Sequence, residues 1–203
     1  MSPRPRKASD DEVFGAAMRV MSRVGPADLT LGAIAKEAGL TAGALVQRFG
    51  SKQQLLRAMS SQFAGSAGEV FAQLRRAHPS PLAAIRDYAR CHAQLAESPD
   101  ALARNLAYLQ IDLTDPVLYQ GLLSYAKGTR AQLVVLVRAA MAAGELTRQV
   151  RPSRLARLIE VTVNGSMMTW AIYRQGTAAR WMLADLDAVL APYKKCKVQS
   201  AKG

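Results

Sequence analysis

The sequence is poor in the residues that build sheets, disulfide frameworks and metal centres. Two Trp, six Tyr and four Phe make only 6% of the 203 residues aromatic, which disfavours a strand-rich core. The two cysteines, Cys91 and Cys196, stand far apart without metal-ligand spacing. That excludes a disulfide scaffold and reads as a reduced, intracellular chain. No apolar run approaches the roughly 18 residues that a membrane span needs. The polar, basic N-terminus is followed by no apolar stretch, so no secretory signal is expected and the expected location is cytoplasmic. A Gly-rich phosphate loop, a serine elbow and a metal-ligand cluster are all missing. The carboxylates Asp112, Asp115, Asp185 and Asp187 have no histidine close in sequence, and Asp185 and Asp187 diverge on a helix. The reading is therefore of a non-enzyme with no catalytic residue, no metal and no cofactor.

What is present is hydrophobic residues at 50%, abundant alanine, and a formal charge of +12 with a pI near 10.2. Alanine-rich, aromatic-poor composition favours packed helices. A basic surface attracts polyanions, either nucleic acid or an anionic membrane face. The charge is spread out: residues 1–60 carry net +4 and the remainder +8. Charge alone does not locate a DNA site, and a helical adaptor or anionic-surface-binding protein stays open as the alternative.

Capping signals place the helices. Residues 1–8 (MSPRPRKA) read as a basic arm. Ser9 and Glu12 have the capping-box pattern, and Val13, Ala17, Val20 and Val24 share a face until Gly25-Pro26 stops the helix. Thr30 opens a short helix ended by Gly39, a second runs 42–48 to Gly50, and Ser51 opens a long helix towards Ala77. Ser80-Pro81, Ser98-Pro99 and Asp115-Pro116 pair a capping residue with proline at the first helical position. They predict helices at 81–97, 100–112 and 116–143. Pro152 and Thr177 open the last two, to about 175 and 193. Nine helices and an all-α fold are expected, with a disordered basic tail over 194–203.

The stretch Thr30–Lys52, TLGAIAKEAGLTAGALVQRFGSK, carries the chemistry. Two short helices joined by a tight turn need a small residue at their crossing, a turn glycine and an apolar seam. Ala35, Gly39 four later and Leu45 six after that supply them, with Ile34, Leu40 and Phe49 adding to the seam. The spacing is that of a helix-turn-helix. Thr41, Ala42, Gly43 and Ala44 form a small first turn that lets backbone approach DNA. The Thr41 hydroxyl and nearby amides suit a phosphate. Gln47 can pair with adenine and Arg48 with guanine. Lys52 and Thr30, each at a helix start, suit phosphates.

These residues resemble the DNA-binding domain of the TetR family of transcriptional regulators. The likeness covers about residues 9–57: the first amphipathic helix, LGAIAKEAGLTAGAL, Phe49, Ser51, Lys52 and Leu55-Leu56. Beyond them only the layout matches, in the loop Ala143-Gly144-Glu145-Leu146 and in Trp170 before Gly176. One position departs: Val46 stands where the family commonly has a phosphate-contacting tyrosine. Arg48 is expected to take over that contact, leaving Gln47 as the main base reader.

The resemblance implies a three-helix head over 1–58 and a ligand-binding, dimerising bundle over 59–193. It implies a homodimer on a palindromic operator, acting as a repressor released by a small-molecule effector, although activation is equally compatible with the sequence. The last two helices would form the dimer surface, with Val161, Met167, Met168, Leu183, Leu186 and Leu190 as its apolar residues. Tyr88, His92, Tyr108, Tyr125, Asn164 and Trp170 are the pocket candidates. The single long helix Ser51–Ala77 would carry motion between pocket and head.

Overall fold

A computed structural model describes residues 8–195. It is all helical apart from one isolated bridge: α1 (Asp10–Arg23), α2 (Leu31–Ala38), α3 (Ala42–Phe49), α4 (Lys52–Phe63), α5 (Ala67–Ala77), α6 (Pro81–His92), α7 (Pro99–Thr114), α8 (Pro116–Ala142), α9 (Pro152–Tyr173) and α10 (Ala178–Leu190). Short 3-10 turns follow α6 at 93–96 and α10 at 191–193. Residues 1–7 of the expected arm and 196–203 of the expected tail lie outside the described residues. The described ends of both segments are ordered. Ala8 is buried in the core. Lys194 pairs with Leu146 in an antiparallel bridge, Thr147 N donates to Tyr193 O at 2.7 Å, and Lys195 N donates to Glu145 O at 3.2 Å.

The start signals are physically realised. Ser9 and Glu12 form the reciprocal capping box. Thr30, Thr41, Ser51, Ser80 and Thr177 each accept a backbone N–H three residues on. The long helix expected from Ser51 to Ala77 is instead two, α4 and α5, parted at Ala64–Gly65–Ser66. Glycine and serine are weak helix formers, and Ser66 sets no side-chain cap on α5.

The chain forms two compact units, each built from two separate stretches of the sequence. The first comprises 1–65 with 100–125, the second 66–99 with 126–203. In the first, Val13, Phe14, Ala17, Val20, Leu29, Ile34, Ala35, Leu45, Leu55 and Tyr108 make one core. The Tyr108 hydroxyl donates to Val24 O at 3.1 Å. Burial and nearby Asp28 push its phenol up to about 12, so it stays a donor. In the second, α9 packs on α10, and Leu155, Ile159, Val163, Met167, Met182, Leu186 and Leu190 of these helices are all buried.

Asp115 fastens α4 to the α7–α8 corner of the first unit. It caps α8 by accepting from Val117 N and Leu118 N at 2.9 and 3.2 Å. It also accepts from Arg57 Nη2 at 2.8 Å and Gln53 Nε2 at 2.9 Å. The Arg57 guanidinium, joined by these N–H donors, holds the Asp115 carboxyl far below the usual carboxylate range. A group whose folded pKa is depressed stabilises the fold above its unfolded pKa and loses that contribution as pH falls towards the folded one. Asp115→Asn is expected to lower the unfolding midpoint at pH 7. The gap to the parent should narrow as pH drops below about 4, the unfolded carboxylate range. Thermal unfolding of both proteins from pH 7 to pH 2.5 measures this, and a gap independent of pH would contradict it.

Candidate nucleic-acid interface

The crossing of α2 and α3 follows from three residues. Gly39 ends α2 in the left-handed region at φ 69° and ψ 30°, and Leu40 N reaches back to Ala35 O at 2.8 Å. This is the glycine-closed helix end, which L side chains resist. Ala35 is small and buried where α3 crosses, beside Ile34. Leu45 drops into the seam fully buried, and Phe49 one turn on packs half-buried against Phe14 at 5.8 Å between ring centroids. After α3, Gly50 turns the chain at φ 77° and ψ −61°, with Ser51 N donating to Phe49 O at 3.0 Å. That is the strained, positive-φ γ-turn. Arg19 and Arg23 of α1 both donate to Glu37 of α2, at 2.7 and 2.6 Å, and hold its carboxyl below the ordinary range.

With Leu45 and Phe49 as the inward anchors, the rest of α3 faces outward. Thr41, Ala42, Gly43, Ala44, Val46, Gln47 and Arg48 are all exposed, Val46 by 50%. The Thr30 and Thr41 hydroxyls accept from Ala33 N at 3.1 Å and Ala44 N at 3.2 Å. Each O–H remains free to donate, as a hydroxyl has one donor besides its lone pairs. A Cβ added at Gly43 would meet nothing within 4 Å. Glycine in a helix costs about 0.5–1 kcal/mol relative to alanine, and no packing within the described residues requires it there.

Two cations expected at the interface are committed elsewhere. Arg48 Nη1 donates to Ala8 O at 2.6 Å, Nη2 pairs with Asp10, and the guanidinium lies 5.4 Å from the Phe49 ring centroid. The fork of Arg48 is thus engaged by the start of α1. These partners are 38 and 40 residues away, and no local pattern signals them. Lys52 Nζ donates to Pro26 O at 3.1 Å. An ammonium has three donors, so Lys52 anchors the α1–α2 loop and keeps two N–H groups to spare. Gln47 is the exposed polar side chain of α3 that no contact claims among the described residues.

The six pocket candidates are divided between the two units. Tyr88 is buried against Phe71, with His92 5.8 Å from it between ring centroids. His92 Nε2 and Asn164 Oδ1 are 3.1 Å apart, while Asn164 Nδ2 donates to Glu160 O at 3.0 Å. The amide nitrogen is thereby assigned to Glu160, so the histidine donates through Nε2. Burial lowers the His92 pKa and favours the neutral ring. These three form one group in the second unit. Tyr108 belongs to the core of the first unit, with its hydroxyl on Val24. Tyr125 stacks on Phe63 at 4.4 Å, also in the first unit. Trp170 is buried with its Nε1 donating to Gly176 O at 3.2 Å, which makes it a structural pin.

The dimer candidates divide as well. Met167, Leu186 and Leu190 are buried within the second unit. Val161, Met168 and Ile172 are exposed and Leu183 partly so. Three of the four carboxylates weighed for catalysis have structural partners: Asp115 as described above, Asp187 with Arg86 and Lys194, and Asp185, which accepts from Ser166 at 2.6 Å.

Residues 13–59 match the family model of the bacterial regulatory proteins of the tetR family. The N-terminal domain is that of the TetR family. Its outward α3 is the second helix of the helix-turn-helix. No curated protein matches the chain, whereas many solved structures share its fold. The chain is similar to SmeT, the repressor of the Stenotrophomonas maltophilia multidrug efflux pump SmeDEF, at 21% identity and TM-score 0.64, over 94% of this chain and 93% of that one. It is similar to a TetR transcription regulator from Haloarcula marismortui, at 15% and 0.70, over 92% and 98%. It is also similar to the Bacillus subtilis regulator FadR, solved with stearoyl-CoA, at 17% and 0.66, over 90% and 98%. The TetR-like fold thus extends beyond the matched domain, across most of the chain. No helix among the described residues is long and apolar enough to cross a membrane.

The seam and the outer face of α3 should separate in stability measurements. Leu45→Ala is expected to cost about 2–5 kcal/mol, as for a fully buried leucine. Val46→Ala should stay within about 0.5 kcal/mol, and Gly43→Ala should gain up to about 1 kcal/mol. Urea unfolding of the three variants tests the order.

Proposed function

We propose that this protein is a sequence-specific DNA-binding transcriptional regulator that reads a palindromic operator as a homodimer. The observation that carries the reading is the outward face of α3, from Thr41 to Gln47, held out by the buried Leu45. A duplex needs a slim protruding helix whose first turn lets backbone come close. Thr41, Ala42, Gly43 and Ala44 fit that requirement, and the energetic cost of an unpacked Gly43 makes sense only against an external partner. Gln47 is the base reader, pairing through its amide with adenine N6 and N7. Thr30, Thr41 and Lys52 meet phosphates, and Val46 supplies apolar contact, as with a thymine methyl.

The protein acts as a repressor released by a small molecule. In support, the similarly folded SmeT is a repressor and has been solved with triclosan, and FadR with stearoyl-CoA. Tyr88, His92 and Asn164 are the effector contacts we favour, since they form one cluster of ring faces and neutral polar groups. Effector binding would favour a spacing of the two heads that fits adjacent major grooves poorly.

Dimerisation uses α9. Val161, Gly165, Met168 and Ile172 recur at helical spacing on one exposed face, and paired heads would then present their reading helices about 34–36 Å apart. Val161→Glu with Met168→Glu is expected to yield monomers in sedimentation equilibrium and to abolish tight operator binding. A dimer that survives both changes would remove α9 from the interface.

Selection of duplexes from random sequence, followed by binding titrations, tests the reading of DNA. Gln47→Ala should lose about 1–3 kcal/mol on the selected duplex and relax preference at one position. Lys52→Ala should weaken all duplexes about equally, with a shallower salt dependence. Equal binding to selected and scrambled duplexes would refute the proposal. Retention on anionic vesicles, unaffected by Gln47→Ala, would instead favour an anionic-surface-binding protein.

A further inference from the structure

The start of α9 runs against the electrostatics of its own helix. Between Glu145 and Glu160 the chain carries Arg148, Arg151, Arg154 and Arg157 and no carboxylate side chain. Arg151 holds the N-cap position without a side-chain cap, and the first turn has no acidic residue. A helix N-terminus is the positive end of the backbone dipole and favours anions, as α1 shows with Asp10, Asp11 and Glu12 in its first turn. Arg154 and Arg157 are three apart, neighbours on the helix surface, where like charges repel. Leu155, Ala156 and Ile159 are buried and fix the other side of the helix within the second unit. All four arginines are exposed, and no side-chain hydrogen bond or ion pair among the described residues engages them. The flanking carboxylates are taken: Glu145 accepts from Leu82 N at 2.8 Å, and Glu160 from Arg130 Nε at 2.7 Å.

We propose that this arginine patch is a docking surface for an acidic segment of a partner protein. A row of partner carboxylates removes both penalties, the repulsion between guanidinium groups and the cations at the positive helix end. Every cation of the patch is arginine, whose planar fork takes a carboxylate bidentately, and arginine clusters are a recurrent reader of acidic motifs. From Arg151 to Arg157 the helix rises roughly 9 Å, so a short acidic run covers it. Other polyanions fit less well. A membrane surface takes apolar side chains inserted beside the basic ones, and no exposed large hydrophobic lies between Glu145 and Glu160. A single strand of nucleic acid is held by aromatic rings among the cations, and the stretch contains none. A second copy of this chain is a poor match too. Its one run of consecutive acidic residues, Asp10-Asp11-Glu12, already meets Arg48, Gln62 and Ser9. The apolar face assigned to dimerisation begins at Val161, one turn beyond Arg157, and the inference does not depend on the reading of α3.

The test uses the full chain and a labelled Glu-Ala repeat peptide, with the Gln-Ala repeat as control. The glutamate peptide should bind and the glutamine peptide should not, and rising salt should weaken the complex. Arg151→Ala/Arg154→Ala/Arg157→Ala is expected to weaken the glutamate peptide at least about tenfold. Lys36→Ala/Lys127→Ala/Arg180→Ala removes as many exposed cations elsewhere and should leave binding nearly unchanged. Equal weakening by the two triple variants would show that net charge alone is read, and would overturn the proposal. So would patch-dependent binding to a scrambled duplex or to phosphatidylserine vesicles without patch-dependent binding of the peptide, since phosphate would then be the target. Arg154→Glu gives a second readout in thermal unfolding. Without peptide it should unfold above the parent, because an anion replaces a cation at the positive helix end. Added glutamate peptide should raise the midpoint of the parent and not that of the variant. A variant less stable than the parent would assign the arginines to the fold's own stability and overturn the docking surface.

Discussion

The burial of Leu45 between α2, α1 and α4 is the constraint on which the head depends. An eight-residue helix in water has no stability of its own, because nucleation costs more than so few hydrogen bonds return. α3 exists as a helix because Thr41 caps it, Gly50 closes it, and Leu45 and Phe49 fix it to the core that includes Ile34, Ala35 and Leu55. One deeply buried position and one half-buried position suffice. Every other side chain of α3 is thereby released to face outward, which is how so short an element can offer so much of its surface. The helix's two ends are also spoken for, by a threonine hydroxyl at one and a strained glycine turn at the other.

Much of this was legible in the sequence because it is local. Capping residues, turn glycines and the proline at the first helical position act over three or four residues, so Ser9, Thr30, Thr41, Ser51, Ser80 and Thr177 could be read directly. The spacing of Ala35, Gly39 and Leu45 is likewise short in range. Contacts across dozens of residues left no pattern. Arg48 on Ala8 and Asp10, Lys52 on Pro26, and Asp115 on Arg57 and Gln53 are invisible until the helices are placed. They reassign side chains that look like free cations or a simple cap.

Periodicity also could not decide which apolar residues serve a core and which a surface. Met167 and Met168 are neighbours, yet one is buried and the other exposed. Leu183, Leu186 and Leu190 share a helical face, yet only Leu186 and Leu190 are buried while Leu183 is partly exposed. Tyr108 and Trp170 are amphipathic, and each polar end already has a backbone carbonyl to satisfy it. The break between α4 and α5 was missed because Gly65 and Ser66 each weaken a helix only slightly, and their sum falls near the threshold.

The pairing of Glu145–Thr147 with Tyr193–Lys195 makes the end of the described chain a structural member. Backbone bonds there tie the loop after α8 to the turn after α10, and Lys194 adds a 3.0 Å contact to Asp187. Purification handles, fluorescent reporters or crosslinkers attached at this terminus need to begin past residue 195. A fusion joined directly to Tyr193 would remove half of a two-stranded clasp and loosen the very bundle it was meant to report on.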